Sequence, residues 1–516
     1  MRPFDTGNTS ARNSARPTSL AIRPADHGPS PSPQSRRLPS RGAISLNYPC
    51  MKAEEEKPPA AIRAFADPGP VRRISRYLRG SDLGAVLLRG SLGSLALRVA
   101  GLGVTFLMGV QLARGLGVEG YGIYGLAISI IALLSVPAEF GLPQLVLREV
   151  ATASANQNWP QLFGVIRWAD RTVAPISALL ASLLIGALLL GYGAGTPGFA
   201  ATLIWGALLV PLVALGRLRG AALRGINHVI LGQFPDVLMR PALFALFLAA
   251  ALLMKVHMTP AYAMSLNVLA TALAFALAAF LLQGNMARAS SDQALVTYGR
   301  TWLLSAFPLA LSEGLRICQG SGAVFLLALL GTSTDIGIYV VADRTALVCA
   351  VPISLLNVVV APLLAQFFAE GNNVKIQRAA SLVAMAMLGG VLLLSVPLFA
   401  AGYSVVECVF GSEYSGAVLP LWLLCAGQLV SAFSGPSAAL LTMTGHERCV
   451  TRAFAVALLT NLTIAAICIP TLGVAGVALG VLIGSIIWNG ILWFDAKRIL
   501  AVDPSLLSFI PRRSWR

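Results

Sequence analysis

The chain has 516 residues, of which 56% are hydrophobic and only 12% are charged, and its mean hydropathy is +0.75. This composition excludes a soluble globular protein and predicts a chain that lies in a lipid bilayer. The net charge of +16 is spread over many short segments, so we expect it to contact anionic membrane lipids and we expect no nucleic-acid partner.

The first 85 residues differ from the rest of the chain. Pro, Ser and Arg dominate them, as in Pro29-Ser30-Pro31-Ser32-Pro33, and they show no apolar periodicity. Residues 1–85 are therefore predicted to form a disordered basic cytoplasmic tail. The part before Met51 would also suit an organellar transit peptide, but we favour translation that starts at Met51.

Twelve later runs are long enough to cross about 30 Å of hydrocarbon, which takes about 20 apolar residues. They cover roughly 91–112, 121–138, 172–192, 198–215, 237–254, 261–283, 302–330, 337–365, 377–401, 416–442, 450–470 and 474–495. Each run is continuously apolar, and short alternating segments typical of a membrane β-barrel do not occur. The predicted fold class is an all-α polytopic membrane protein with about twelve transmembrane helices.

One pattern occurs twice, 215 residues apart. Gly122-Ile123-Tyr124 with Ala127, Val136 and Pro137 is repeated as Gly337-Ile338-Tyr339 with Ala342, Val351 and Pro352. The first six apolar runs superimpose on the second six at nearly the same offset, and an even number of helices per copy gives a parallel repeat. We therefore predict a six-helix bundle over 86–290 and a second over 291–500, with the substrate site between them.

Lys and Arg residues predict the orientation in the membrane. If the N-terminus is inside, 33 of the 38 Lys and Arg residues fall on inner segments, and only Arg114 and Lys255 fall on outer turns. Positive residues remain preferentially on the cytoplasmic side. Both termini, including a short tail over 501–516, are therefore predicted to be cytoplasmic.

The sequence contains no pattern typical of a metal site, of ATP hydrolysis or of an enzyme. The seven Cys and four His residues are scattered at spacings that do not suit a metal site, so we predict neither a metal nor a cofactor. No P-loop pattern is present, which argues against ATP hydrolysis. The longest outer loop, about 402–415, is short and the chain has no Asp-x-Asp pair, so we expect that it is not an enzyme.

The stretch from Leu116-Gly117 through Val118-Glu119-Gly120-Tyr121-Gly122-Ile123-Tyr124 resembles the turn between helices 1 and 2 of a known family. This family comprises the polysaccharide flippases of the multidrug/oligosaccharidyl-lipid/polysaccharide exporter superfamily. Further similar pieces are Gly141-Leu142, Arg148, Asp335-Ile336-Gly337-Ile338-Tyr339, Pro362-Leu363 and Thr471-Leu472-Gly473-Val474-Ala475-Gly476. The resemblance extends from about 88 to 500.

The resemblance implies a flippase of the bacterial inner membrane for O-antigen or exopolysaccharide biosynthesis. Its cargo would be a polyprenyl-pyrophosphate-linked glycan, moved to the outer leaflet by alternating access, and its partners could include polysaccharide polymerase and chain-length proteins. A multidrug/cation antiporter of the same superfamily is the alternative, and a membrane-embedded polysaccharide polymerase or ligase is a remote one. Cationic residues inside the membrane favour an anionic cargo.

Ionisable side chains inside the membrane are costly, and they mark candidate sites. Six fall within or at the end of the predicted helices: Arg98, Glu139, Glu313, Arg316, Asp343 and Arg344. Arg98 and Arg316 occupy nearly equivalent positions in the two repeats, so we predict that they bind the pyrophosphate, with Arg344 as a third substrate-binding residue because related lipid II flippases place arginines on helices 1 and 8. Asp343 and Glu313 are predicted to couple an ion. The alternatives are that Glu313 neutralises Arg316 three residues away and that Arg98 reaches the headgroups.

Overall fold

The computed structural model describes residues 81–191, 198–286 and 299–506. The tail predicted over 1–85 lies almost entirely outside these residues, and Ser81 already begins a helix. Every regular element in the described residues is a helix, which confirms the all-α prediction.

Eight α-helices form the first half of the described chain. They are α1 (Ser81–Glu139), α2 (Leu142–Ala155), α3 (Trp159–Leu189), α4 (Phe199–Ala207), α5 (Leu209–Gly225), α6 (Val229–Phe234), α7 (Arg240–Leu253) and α8 (Pro260–Met286). A five-residue π-helix, Pro235–Met239, joins α6 to α7. Short π-helical segments inside α-helices are rare and frequently lie at functional sites.

Eight more α-helices form the second half. They are α9 (Gly299–Leu330), α10 (Ser333–Cys349), α11 (Val351–Ala369), α12 (Asn373–Val409), α13 (Val418–Phe433), α14 (Ser437–Met443), α15 (Glu447–Leu472) and α16 (Val474–Leu500). A 3₁₀-helix, Ser412–Ala417, lies between α12 and α13.

Eleven segments of the described residues are long and apolar enough to cross a membrane. The first, Gly93–Glu139, has 47 residues and would be about 70 Å long as one straight helix, more than twice the hydrocarbon thickness. The backbone of α1 breaks at Gly117, where φ is 67°. A positive φ is readily adopted by Gly, so two helices meet here and the segment supplies two crossings. The described residues thus supply twelve crossings, as predicted.

The structure divides one predicted run and makes one predicted loop helical. The run predicted over 337–365 is divided at Ala350, where α10 ends and α11 begins with Pro352 in its first turn. Pro lacks the N–H that would continue the hydrogen-bond ladder, which explains the break. The outer loop predicted over 402–415 is largely helical, since α12 continues to Val409 with one non-helical residue at Ala401.

The third and fourth crossings are longer than the apolar runs that predicted them. Charged residues interrupt the apolar pattern, so the predicted runs are too short. The helix α3 begins at Trp159, not near 172, and α5 continues to Gly225, ten residues beyond the predicted end. Arg219 of α5 donates to Asp170 of α3 at 3.4 Å, and its guanidinium lies 4.5 Å from the centre of the Phe275 ring. These partners allow a charged residue to remain on a membrane helix.

The two copies of the repeated pattern pack against each other. A Cβ added to Gly122 would lie 1.8 Å from the carbonyl oxygen of Ser333, and one added to Gly337 would lie 2.1 Å from that of Val118. The second arm of α1 and the start of α10 therefore touch backbone to backbone, and only Gly fits on either side. This contact lies near the end of the molecule that contains Gly117, which we name the Gly117 end.

Candidate functional site

A buried ion pair joins the end of α1 to α5. Arg217 donates through Nη1 to both carboxylate oxygens of Glu139, at 2.9 and 3.2 Å. Glu139 is only 5% exposed, whereas the Arg217 side chain is 33% exposed. The chain turns directly after Glu139 because Phe140 and Gly141 both have positive φ, which fixes this carboxylate at the helix end.

A second ion pair lies on α9, in the other half of the chain. Arg316 donates to Glu313 through both Nε, at 3.0 Å, and Nη2. Gly141 allows α9 to pack closely against the end of α1. A Cβ added to Gly141 would lie 2.5 Å from the backbone nitrogen of Ala310, which is about one turn before Glu313. Glu313 also attracts Arg217 electrostatically.

These two pairs form one group of four charges, which we name the neutral cluster: Glu139, Arg217, Glu313 and Arg316. Its members alternate in sign and come from α1, α5 and α9, so it bridges the two halves of the chain. Its net charge is zero when all four groups are ionised. Buried or half-buried charges of opposite sign stabilise each other in this way at the cost of desolvation.

A second group, which we name the arginine cluster, surrounds the π-helix: Arg98, Arg224, Asp236 and Arg240. Arg240 donates to Asp236 at 3.2 Å. Arg224 interacts electrostatically with both Asp236 and Arg98. This group carries three positive charges and one negative charge. Its net charge is therefore positive, opposite in sign to the charge of a phosphate.

A third group lies next to the contact between the repeats. Asp343 and Arg344 of α10 are half-buried, and both act electrostatically on the buried Tyr121 hydroxyl. The Tyr124 hydroxyl, also buried, accepts a hydrogen bond from Asn267 of α8 at 2.9 Å. The start of α10 is fixed by a capping box between Thr332 and Asp335.

Hydrogen bonds also join the two halves at the Gly117 end. Arg114 of α1 donates to the backbone carbonyls of Val409, at 2.8 Å, and Cys408, both in the last turn of α12. The Tyr414 hydroxyl donates to the carbonyl of Ala113 at 3.0 Å. A cation at a helix C-terminus satisfies free carbonyls and interacts favourably with the helix dipole.

The structure separates the predicted site residues into three places. Arg316 and Glu313 belong to the neutral cluster, Arg98 to the arginine cluster, and Asp343 and Arg344 to the third group, beside Tyr121. The ion pair between Glu313 and Arg316, which was the alternative to their predicted roles in binding and coupling, is present. Arg98 and Arg316 are both exposed, whereas Arg344 and Asp343 are half-buried.

Sequence reasoning missed four members of these clusters: Arg217, Arg224, Asp236 and Arg240. The three arginines were counted among the inner segments, but all of them lie on membrane-crossing helices. The spacing of Asp236 and Arg240, four residues apart inside an apolar stretch, could have identified this pair. Within the described ranges, no group of three or more His, Cys, Asp and Glu side chains is placed to hold a metal ion.

Three solved structures of membrane transporters have a similar fold. A multidrug resistance transporter of the MATE family and MOP superfamily, in an inward-facing conformation, matches with a TM-score of 0.65 and 14% identity over 77% of this chain and 94% of that chain. The lipid II flippase MurJ, in an inward closed conformation, matches with a TM-score of 0.59 and 14% identity over 80% and 87%. A mutant form of the Vibrio cholerae MATE transporter VcmN matches with a TM-score of 0.57 and 18% identity over 81% and 98%.

At these identities the structural matches establish the fold, and the sequence itself establishes the family. A search of curated protein sequences finds no significant match. The family model described as "Polysaccharide biosynthesis protein" matches residues 87–368, which is more than half of the chain. This match and the transporter fold confirm the resemblance predicted from the motifs. The chain is therefore a multi-pass membrane protein that belongs to the polysaccharide biosynthesis protein family.

Proposed function

We propose that this protein is a flippase that moves a polyprenyl-pyrophosphate-linked oligosaccharide across the bacterial inner membrane, for the synthesis of a surface polysaccharide such as O-antigen or exopolysaccharide. A sugar headgroup and a pyrophosphate cannot cross hydrocarbon unaided, so such a protein needs charged groups inside its membrane-spanning part. The neutral cluster and the arginine cluster supply them.

The observation that carries this proposal is the concentration of charge within the crossings. Five arginines and three carboxylates lie on the crossings formed by α1, α5, α6 to α7 and α9: Arg98, Arg217, Arg224, Arg240, Arg316, Glu139, Asp236 and Glu313. Their electrostatic interactions connect them into one network. The network is net positive, which suits an anionic lipid-linked cargo.

The closed contact at the Gly117 end supports alternating access. If both termini are cytoplasmic, as the Lys and Arg distribution indicates, α1 runs outward to Gly117 and this end faces the outside. The bonds of Arg114 and Tyr414 then close the outer side, while the exposed Arg98 and Arg316 lie toward the cytoplasm, where lipid-linked sugars are assembled. Asp343 and Glu313 remain our candidates for ion coupling, by binding a cation more tightly in one state than in the other.

A multidrug/cation antiporter is the second candidate, and the likeness of the fold to MATE transporters favours it. A cationic drug would require a net negative site, however, and the charged network here is net positive. The charge balance therefore favours the flippase.

Deletion of the gene tests the proposal directly. We expect loss of the surface polysaccharide and accumulation of its lipid-linked precursor, with both defects corrected by the intact gene. A strain without a redundant flippase is required. A normal glycan with no accumulated precursor in that strain would overturn the proposal, and a changed resistance to cationic drugs in its place would support the antiporter.

A further inference from the structure

We infer that the arginine cluster is the site that holds the pyrophosphate of an isoprenoid-linked lipid. This inference rests on the proposed function and names the residues that recognise the charged part of the cargo. Arg98, Arg224 and Arg240 supply the binding groups, and Asp236 orients Arg240.

The face of α1 that carries Arg98 is fixed by its neighbours. Ser94 donates to Gln233 at 3.1 Å, and a Cβ on Gly101 would lie 2.5 Å from the carbonyl oxygen of Val237. Residues four and three apart share one face of an α-helix, so Arg98 lies between these two contacts on the same face. Its side chain is therefore placed beside the segment from Gln233 to Val237, which includes Asp236.

Arg224 reaches the same segment from α5. The helices α5 and α6 approach closely, since a Cβ on Gly232 would lie 2.5 Å from the carbonyl oxygen of Gly220 and 2.8 Å from Cγ of Arg224. The alkyl chain of Arg224 thus passes over Gly232, about one turn before Asp236, and its Nε donates to the Gly220 carbonyl at 3.2 Å. These contacts hold its guanidinium group beside α6.

Arg240 completes the cluster from the C-terminal side of the π-helix. Its Nη1 donates to Asp236, and the two side chains are 33% and 48% exposed. An anion can therefore reach these groups. Asp236 and Arg240 are four residues apart, a spacing that places both side chains on one face where the π-helix passes into α7.

The charge balance assigns the pyrophosphate to this cluster and not to the neutral cluster. Arg316 and Arg217 each bond to a carboxylate in a group whose net charge is zero. In the arginine cluster one carboxylate cannot neutralise three guanidinium groups, which leaves a net charge of two. A pyrophosphate diester carries two negative charges, and guanidinium groups bind phosphate oxygens through forked hydrogen bonds.

Direct binding to the purified full-length protein in detergent tests this inference, with farnesyl diphosphate as the probe and farnesol as the uncharged comparison. We expect farnesyl diphosphate to bind and farnesol not to bind. Arg224→Gln and Arg240→Gln should each weaken binding about tenfold or more, the loss expected for one charge-assisted hydrogen bond. Thermal unfolding and size-exclusion profiles will show whether each variant is folded.

Arg219→Gln is the matched control, because Arg219 lies on the same helix as Arg224 but bonds to Asp170 and stacks on Phe275. We expect it to bind the probe like the wild type. Equal affinity in the wild type and in both cluster variants would overturn the inference, and so would an equal loss in the Arg219 control.

Competition distinguishes the possible sources of the phosphate. Inorganic pyrophosphate and phosphatidylglycerol micelles should compete much more weakly than farnesyl diphosphate. If inorganic pyrophosphate competes as strongly as farnesyl diphosphate, the site is one for free pyrophosphate. If phosphatidylglycerol competes as strongly, the site is a general lipid site. Either result would overturn the inference. Because binding is measured without glycan, this inference can fail while the deletion phenotype still supports a flippase.

Discussion

The carboxylate of Glu139 on α1 and the guanidinium of Arg217 on α5 form an ion pair at 2.9 Å, and the carboxylate is almost completely buried. Removal of Arg217 leaves a buried negative charge, whereas removal of Glu139 leaves a guanidinium that is one-third exposed. Breaking a buried ion pair from one side costs about 3–5 kcal/mol. We therefore expect Arg217→Gln to lower the thermal unfolding midpoint more than Glu139→Gln does.

The double variant Glu139→Gln with Arg217→Gln provides the comparison. Since both charges are removed together, it should be more stable than Arg217→Gln alone, as non-additive effects of contacting residues require. Additive losses in the detergent-purified proteins would show that the two groups do not stabilise each other.

Arg114 connects the two halves at the Gly117 end, and its partner Cys408 is exposed. We expect an Arg114→Cys variant to be cross-linked to native Cys408 by a short, cleavable bis-methanethiosulfonate reagent. The cross-link should hold this end closed and stop glycan export, and reduction should restore export. Cleavage at an engineered protease site between the halves, followed by gel electrophoresis, measures the cross-link.

The variant that also carries Cys408→Ser is the control, and it should give no cross-link and unchanged export after treatment. Full export by the cross-linked protein would mean that the Gly117 end does not open during transport.

Gly122 and Gly337 should tolerate no side chain, because each added Cβ would overlap a backbone oxygen of the other repeat. Overpacking costs about 1–3 kcal/mol when the surroundings can relax, and backbone contacts relax less than side chains do. We expect Gly122→Ala and Gly337→Ala to lower the unfolding midpoint and to reduce export. Gly103→Ala, on the same helix with open space around it, should be neutral or stabilising by up to about 1 kcal/mol. Equal effects at Gly122 and Gly103 would contradict the packing.

Hydrogen bonds of Asp503 hold the segment after α16 against Trp493 of α16 and Gln377 of α12. Its carboxylate accepts hydrogen bonds from Trp493 Nε1, at 2.8 Å, and from Ser505, and its backbone N–H donates to Gln377 at 2.7 Å. Burial opposes ionisation, but the hydrogen bonds of Ser505 and Trp493 prevail and hold the pKa of Asp503 below its ordinary value. The ionised form is therefore the one that stabilises this contact.

We expect Asp503→Asn to cost about 1.5–3 kcal/mol at pH 7, the range for hydrogen bonds to a charged group. A lowered folded-state pKa adds stability above the unfolded pKa of about 3.9, and this stability is lost as the pH falls through the folded-state pKa. The difference in unfolding midpoint between wild type and variant should thus be constant from pH 8 to pH 5 and should shrink below about pH 4. A difference that persists unchanged to pH 3 would contradict this assignment.

The helical crossings could be predicted because each apolar run carries its own signal, and the repeat predicted which segments correspond. Two charged members of the site, Arg217 and Arg224, could not be predicted in the same way. Hydropathy counts Arg217 and Arg224 against a helix, since it cannot register that Glu139 or Asp236 lies nearby on another segment. The first two predicted helices are also continuous with each other in the structure, where only Gly117 separates them. A single residue with positive φ is enough to turn the chain, so no longer loop is needed there.

The reciprocal packing of Gly122 and Gly337 is the pattern of an isologous interface, in which the same surface patch serves both partners. Each glycine meets the backbone of the other half of the chain, so neither half can accept a larger residue there without the other half having to change shape.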